Sequence, residues 1–131
     1  MPGLLDDIAR DQPALRQAQA ISQQAVGAGF EWETLDDVWA KVDEEIDEFK
    51  RAERGSENQI EELGDILFTL VNVARKEQID AEEALERACE KFRSRWAAME
   101  RMAAEECGCP IDEVPPSKLA ALWTRAKTEL G

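Results

Sequence analysis

Two acidic pairs, each spaced by one helical turn, stand close together in the chain: Glu45 and Glu48 within EEIDEF, and Glu62 and Asp65 within EELGDILFTLVNVAR. Carboxylates at i and i+3 are neighbours on a helix surface, so each pair can aim its oxygens at one point. With Glu62 at 0° on a wheel of 100° per residue, Leu63, Ile66, Leu67, Phe68, Leu70, Val71, Val73 and Ala74 span roughly 220°. Asp65, Thr69, Asn72 and Lys76 share the remaining wedge. An apolar arc that wide predicts a helix covered on several sides, with Glu62 and Asp65 at the edge of the buried region. Asn72 returns to nearly the azimuth of Asp65. In the preceding segment Glu45 lies beside the line Val38, Val42 and Phe49, and Glu48 stands about 60° further out. If both apolar stripes face one core, the two acidic pairs converge.

Four carboxylates in a partly dry space repel one another, and an isolated buried carboxylate protonates rather than stays charged. A divalent cation resolves that conflict. Ligation by oxygen alone suits Mg²⁺ or Mn²⁺, and Mg²⁺ keeps several waters and takes substrate phosphates as further ligands. Metal-bound phosphate would also let an acidic protein accept an anionic ligand, and the chemistry this favours is attack of water on phosphorus. A single Glu-x-x-Glu in a chain with 29 acidic residues is ordinarily a solvated face. Two pairs beside apolar stripes on consecutive helices put the metal reading on equal terms with that one.

Lys91 and Arg95 in KFRSRW, and Trp123 and Lys127 in LWTRAK, are each four residues apart and so share a helix face. Solubility for the cations and core packing for the Trp are the ordinary roles of such residues. In a nucleotide site they would be phosphate contacts and a ring against base or ribose. Spacing does not choose between these.

Composition narrows the field. The formal net charge is −13, from 29 acidic against 16 basic residues, with no basic patch, so neither nucleic acid nor an anionic membrane surface is an expected partner. There is no His, which removes the Ser-His-Asp triad, the Cys-His dyad, His-ligated zinc and the Glu-x-x-His sites of di-iron bundles. Neither a P-loop nor a G-x-G-x-x-G fingerprint occurs. Three Cys, no leader-like start at MPGLLDDIAR and no apolar run near the ~20 residues of a membrane span predict a soluble, cytoplasmic protein. Cys107-x-Cys109 is half of a zinc site whose third thiol, Cys89, is distant, so these thiols read as structural or incidental.

The elements that must position these residues read as helices throughout. At 131 residues the chain is the size of one domain, expected over 1–131. A first helix is expected from Pro13 to Val26 with Gly27 as its left-handed stop, followed by a linker whose Phe30 and Trp32 plug into the core. Thr34 caps a second helix with the stripe Leu35, Val38, Trp39, Val42, Ile46 and Phe49, ending near Gly55. Ser56 with Gln59 makes a capping box for a third, to about Gln78, and Asp80 with Glu83 another for a fourth with the stripe Leu85, Ala88, Cys89, Phe92, Trp96 and Met99. After a Pro-rich loop, Ser117 opens a last helix bearing Leu119, Leu122, Trp123, Ala126 and Leu130. Short connections make an all-α antiparallel bundle of about five helices the natural outcome.

AGFEWETLDDVWAKVDEEIDEF, IEELGDILFTLVNVAR, ALERACEKFRSRW and LWTRAK resemble, in this order and spacing, the MazG family of nucleoside triphosphate pyrophosphohydrolases, and most closely the C-terminal domain of its two-domain members. The likeness runs from about Leu15 onward. The family pattern E-x-x-E, spacer, E-x-x-D falls on Glu45, Glu48, Glu62 and Asp65. The resemblance implies an all-α dimer or tetramer, Mg²⁺ dependence with Mn²⁺ as a substitute, and hydrolysis of NTP or dNTP to NMP and pyrophosphate. It implies metal ligation by those four carboxylates, with Glu44 beside them as acceptor or base. It carries substrate contacts onto Lys91, Arg95, Trp123 and Lys127, with Asn72 as a further substrate or outer metal-site contact. Two departures stand out: one domain where the similar proteins have two, and Asn58-Gln59 where some members carry a Lys. Within the enzyme class, a pyrophosphatase narrowed to dUTP, dCTP or phosphoribosyl-ATP is an alternative. From another class, a non-catalytic acidic dimerising regulator is the alternative, in which the motif acids and the Lys and Arg set would be expected to decay.

Overall fold

The computed structural model describes residues 3–130; Met1, Pro2 and Gly131, the extremes of the domain expected over 1–131, lie outside the described residues. Five α-helices follow in order: α1 (Ala14–Gly27), α2 (Leu35–Arg51), α3 (Glu57–Lys76), α4 (Ala81–Glu106) and α5 (Pro116–Leu130), with a 3-10 turn at Ile111–Glu113. Among the described residues there is no strand. The all-α class and the five helices expected from the sequence are what the described residues form. No described helix is long and apolar enough to cross a membrane.

Local chemistry sets the helix ends. Thr34 Oγ1 accepts from the Asp37 N–H at 3.1 Å while Asp37 Oδ2 accepts from the Thr34 N–H at 3.2 Å, a reciprocal box that starts α2. Ser56 caps α3 by accepting from Gln59 N at 3.1 Å, but the Gln59 side chain returns to Gly55 N rather than to Ser56. At the end of α1 the positive φ falls on Gly29, not Gly27, and α1 runs one residue further than expected. Pro116, not Ser117, opens α5, where its missing N–H is not needed.

The chain divides into two compact units, Met1–Ala84 and Leu85–Gly131. In the first, α3 packs against both α1 and α2, burying Val38, Val42 and Val71 together with the polar Ser22, Glu45, Thr69 and Asn72. In the second, Ala98, Met99, Met102 and Ala103 of α4 close on Val114, Leu122 and Ala126.

Three expectations about burial need correction. The broad apolar arc of α3 is not covered on all sides: Ile60, Leu63, Leu67 and Leu70 are exposed, because one chain lays only α1 and α2 against it within this unit. Phe30, 71% exposed, does not plug into the core, and Trp32 is only half-buried. On α4 the stripe is buried at Met99 only, while Leu85, Phe92 and Trp96 stay exposed.

Candidate functional site

Glu45 and Glu48 come from the C-terminal half of α2, Glu62 from the second turn of α3. A carboxylate oxygen from each of the three lies within 4.8 Å of the others, so the pairing expected from the helix spacing brings these residues together. Glu45 is 5% exposed, since its helix position adjoins Val38 and Val42. Its Oε1 takes an ion pair from Lys41 Nζ at 2.9 Å, one turn back on α2. Its Oε2 and the Oε2 of Glu62 are buried without a hydrogen-bond partner. Burial, then the charge of Glu48 and a hydrogen bond to it, then the charges of Asp65 and Glu45, hold the Glu62 carboxyl above its ordinary range. The bond with Glu45 raises Lys41 in turn.

Asp65 does not join the trio. It is exposed and lines, with Glu45, a cleft of about 360 Å³ bounded by Phe30, Trp32, Phe68 and Asn72. Three residues on from Glu62, its side chain leaves α3 60° away, toward that cleft. Glu44 is exposed and stands 3.9 Å from Lys41, also outside the trio. Asn72 is buried and accepts a hydrogen bond from Ser22 Oγ. Lys91, Arg95, Trp123 and Lys127 belong to the second unit. There the Arg95 guanidinium lies over the Trp123 ring, 5.4 Å from its centroid, and Phe92 tilts against Trp123 at 5.3 Å. Lys91 and Lys127 are exposed.

The sequence reading missed Lys41, Ser22, Glu31 and Arg75. Lys41 was readable as the i−4 partner of Glu45. Arg75 makes a forked bond to Glu31, at 2.7 and 2.9 Å, and donates through Nε to Ser22 at 2.7 Å. These partners are 44 to 53 residues apart, and no local pattern announces them.

An all-oxygen donor set, acids from two helices and two buried carboxylate oxygens lacking partners define an all-α protein with a centre suited to a hard divalent cation such as Mg²⁺ or Mn²⁺. Without a cation, three carboxylates this close are held against their own repulsion. Residues 33–100 match the MazG nucleotide pyrophosphohydrolase domain, and the chain belongs to that family. The match takes in all four motif acids and Lys91 and Arg95, and stops before Trp123 and Lys127. The chain is 39% identical over 115 residues to the nucleoside triphosphate pyrophosphohydrolase/pyrophosphatase MazG of Thermotoga maritima, covering 88% of this chain and 44% of that protein. It is 40% identical over 129 residues to the nucleoside triphosphate pyrophosphohydrolase of Escherichia coli K12, covering 95% and 49%. A third relative, the uncharacterized protein YabN of Bacillus subtilis, is 46% identical over 66 residues, half of this chain and 13% of its own length. The chain thus spans less than half the length of each of these relatives.

Proposed function

We propose that the chain is a nucleoside triphosphate pyrophosphohydrolase, converting an NTP or dNTP and water to NMP and pyrophosphate with Mg²⁺, or Mn²⁺ in its place. The observation that carries this reading is the pair of buried, unpartnered oxygens on Glu45 and Glu62, in a chain of the MazG family. Glu45, Glu48 and Glu62 would hold the cation, with Asp65 as a fourth ligand from the cleft side. When bound, the cation would neutralise phosphoryl oxygens and lower the pKa of the attacking water. The new bond joins the water oxygen to the α-phosphorus, the bond from that phosphorus to the α,β-bridging oxygen breaks, and pyrophosphate leaves with that oxygen. The water proton passes to a carboxylate, for which Glu44, next to the motif acids and outside the trio, is proposed, and from there to solvent.

Lys91, Arg95 and Lys127 are proposed as phosphate contacts and Trp123 as a ring against base or ribose, on the family likeness of KFRSRW and LWTRAK. The protein would act as a homodimer or homotetramer. Supporting this, Ile60, Leu63, Leu67 and Leu70 repeat at spacings of 3, 4 and 3 along the open side of α3, the pattern of a helix seam that wants a second helix. The three cysteines are free thiols, which fits a reducing compartment such as the cytoplasm.

The test is release of pyrophosphate and NMP from a panel of the common NTPs and dNTPs with Mg²⁺, run beside Glu62→Ala. The expected result is turnover by the wild type and a loss of at least about a hundredfold in the variant, more than the effect of disturbing groups around a metal's ligands. A panel that stays silent, or a variant as active as the wild type, would overturn the assignment.

A further inference from the structure

Spacing alone reads Cys107 and Cys109 as structural or incidental, but the second unit brings their thiols together. α4 ends at Glu106, and the Cys107 N–H still donates to the Ala103 carbonyl at 2.9 Å. Gly108 then takes φ +63°, the left-handed stop of a helix. A Cβ at Gly108 would meet nothing within 4 Å, so it is this φ that asks for glycine. The turn sets the Cys109 thiol in hydrogen-bond contact with the thiol of Cys107, and both are free.

The two sulfurs differ in their surroundings. Cys107 is exposed. Cys109 is half-buried, packs with Ile111, Leu119 and Trp123 against the core of the second unit, and lines a cleft of about 510 Å³ beside Glu100 and Asp112. Burial, then the neighbouring Cys107 and Glu113, push the Cys109 thiol above its usual range, against a smaller pull from Lys118. Cys107 is therefore the sulfur that a reagent from solution meets first, with Cys109 waiting behind it.

A thiol pair can hold a metal, staple a fold or switch between redox states. Among the described residues the one group of three or more clustered metal donors is Glu45, Glu48 and Glu62, so the pair lacks the further ligands a zinc ion needs. A staple stabilises more the longer the loop it closes, and here one residue intervenes. Exposed disulfides are the labile, regulatory ones. Glu100 and Asp112 border the cleft, and Glu105, Glu106 and Glu113 flank the pair in sequence. Such walls repel an anionic oxidant and admit a small neutral one.

We propose that Cys107 and Cys109 form a thiol switch closed by hydrogen peroxide. The Cys107 thiolate attacks a peroxide oxygen, the O–O bond breaks, hydroxide leaves to become water with the Cys107 proton, and Cys107 is left as a sulfenic acid. The Cys109 sulfur then attacks the Cys107 sulfur, the S–O bond breaks, and the hydroxyl leaves with the Cys109 proton as a second water. The two thiols are oxidised to a disulfide, and the peroxide is reduced. A dithiol reopens the bond by exchange and becomes a disulfide itself. Because Cys109 also packs on the core, drawing its sulfur into the bond disturbs the cluster against which Trp123 rests. The inference does not depend on the triphosphate reading.

The test treats the wild type with hydrogen peroxide, alkylates the remaining thiols and maps the peptides by mass, before and after dithiothreitol, while the Trp123 indole N–H is followed by NMR. The expected result is a loss of two hydrogens from the peptide that holds both Cys107 and Cys109, reversed by dithiothreitol, with the Trp123 signal moving on oxidation and returning on reduction. Cys89, exposed on α4 and outside the pair, is the internal control and should gain oxygens that dithiothreitol does not remove. Cys109→Ser should make Cys107 behave like Cys89, through a sulfenic acid that dimedone traps. Cys107→Ser, a change at an exposed position, should leave Cys109 a thiol. The proposal is overturned if Cys107 and Cys109 gain oxygens as Cys89 does, if the crosslinks join separate chains, if Cys109 reacts as fast in Cys107→Ser as Cys107 does in the wild type, or if the bond forms while the Trp123 signal stays in place.

Discussion

Glu45 and Glu62 reach toward each other from α2 and α3 and each buries one carboxylate oxygen that no hydrogen bond satisfies. A buried acceptor left open is unfavourable, and here a third carboxylate, Glu48, adds repulsion. The arrangement makes sense as a site completed by a cation.

Mg²⁺ should therefore raise the melting temperature of the wild type, because a ligand that binds only the native state adds about 2.7 kcal/mol at a hundred times its Kd. Glu62→Ala should show no such rise. In EDTA the same variant should melt at or above the wild type, since one of three crowded charges is gone. Calorimetric or fluorescence melts with and without Mg²⁺ decide it, and a wild type indifferent to Mg²⁺ would count against the centre.

The open seam of α3 makes a second prediction. Leu67 is 48% exposed, so Leu67→Glu meets water in an isolated chain and should leave the fold intact. Across a seam with another copy the charge would be buried opposite apolar side chains. Loss of one central anchor of about 2 kcal/mol weakens association about thirtyfold. Sedimentation velocity should show the wild type as a dimer or larger and the variant shifted toward monomer. A wild type that sediments as a monomer would remove the argument.

These residues also mark how far the sequence could be read. Thr34 and Ser56 announced their helices through short-range chemistry, and the convergence of Glu45, Glu48 and Glu62 followed from helix spacing beside two apolar stripes. Hydrophobicity says that a face avoids water but not what covers it, which is why Leu63, Leu67 and Phe30 were expected inside this chain and stand exposed. The wheel placed Asp65 60° from Glu62, and that offset turned it into the cleft and away from the trio. The Glu31, Arg75, Ser22 and Asn72 relay was illegible, because it is made by packing α1 and the loop before α2 against the last turns of α3, and no periodicity encodes that.

The Glu31 and Arg75 pair gives a pH dependence. The Arg75 hydrogen bond holds the Glu31 carboxyl below its ordinary value of 4.5, against a smaller opposing effect of burial, with the charges of Arg75 and Lys76 and the Trp32 N–H helping. A depressed folded-state pKa means stability that is fully present above the unfolded value and lost as pH falls through the folded one. The gap in melting temperature between wild type and Glu31→Gln should be widest at neutral pH and close progressively below about pH 4.5. The pair is partly exposed, so its worth is on the order of 1 kcal/mol. A gap that stays constant from pH 7 to pH 3 would show that the carboxylate is not what Arg75 holds.

Lys41 offers the sharpest separation of structure from metal binding. Its Nζ, 2.9 Å from Glu45 Oε1, is the cation paired with this buried carboxylate. Lys41→Met removes that charge while keeping the apolar stem against α2, leaving Glu45 buried beside Glu48 and Glu62 with no cationic partner on its own helix. Breaking a fully buried pair costs about 3–5 kcal/mol, and the Lys41 side chain is 35% exposed, so a loss of about 1–2 kcal/mol is expected in EDTA. A divalent cation on the same three carboxylates supplies the missing charge, so saturating Mg²⁺ should recover most of that loss and produce a larger melting shift in the variant than in the wild type. If the variant is equally destabilised with and without Mg²⁺, Lys41 and the cation do not share Glu45, and the centre lies elsewhere.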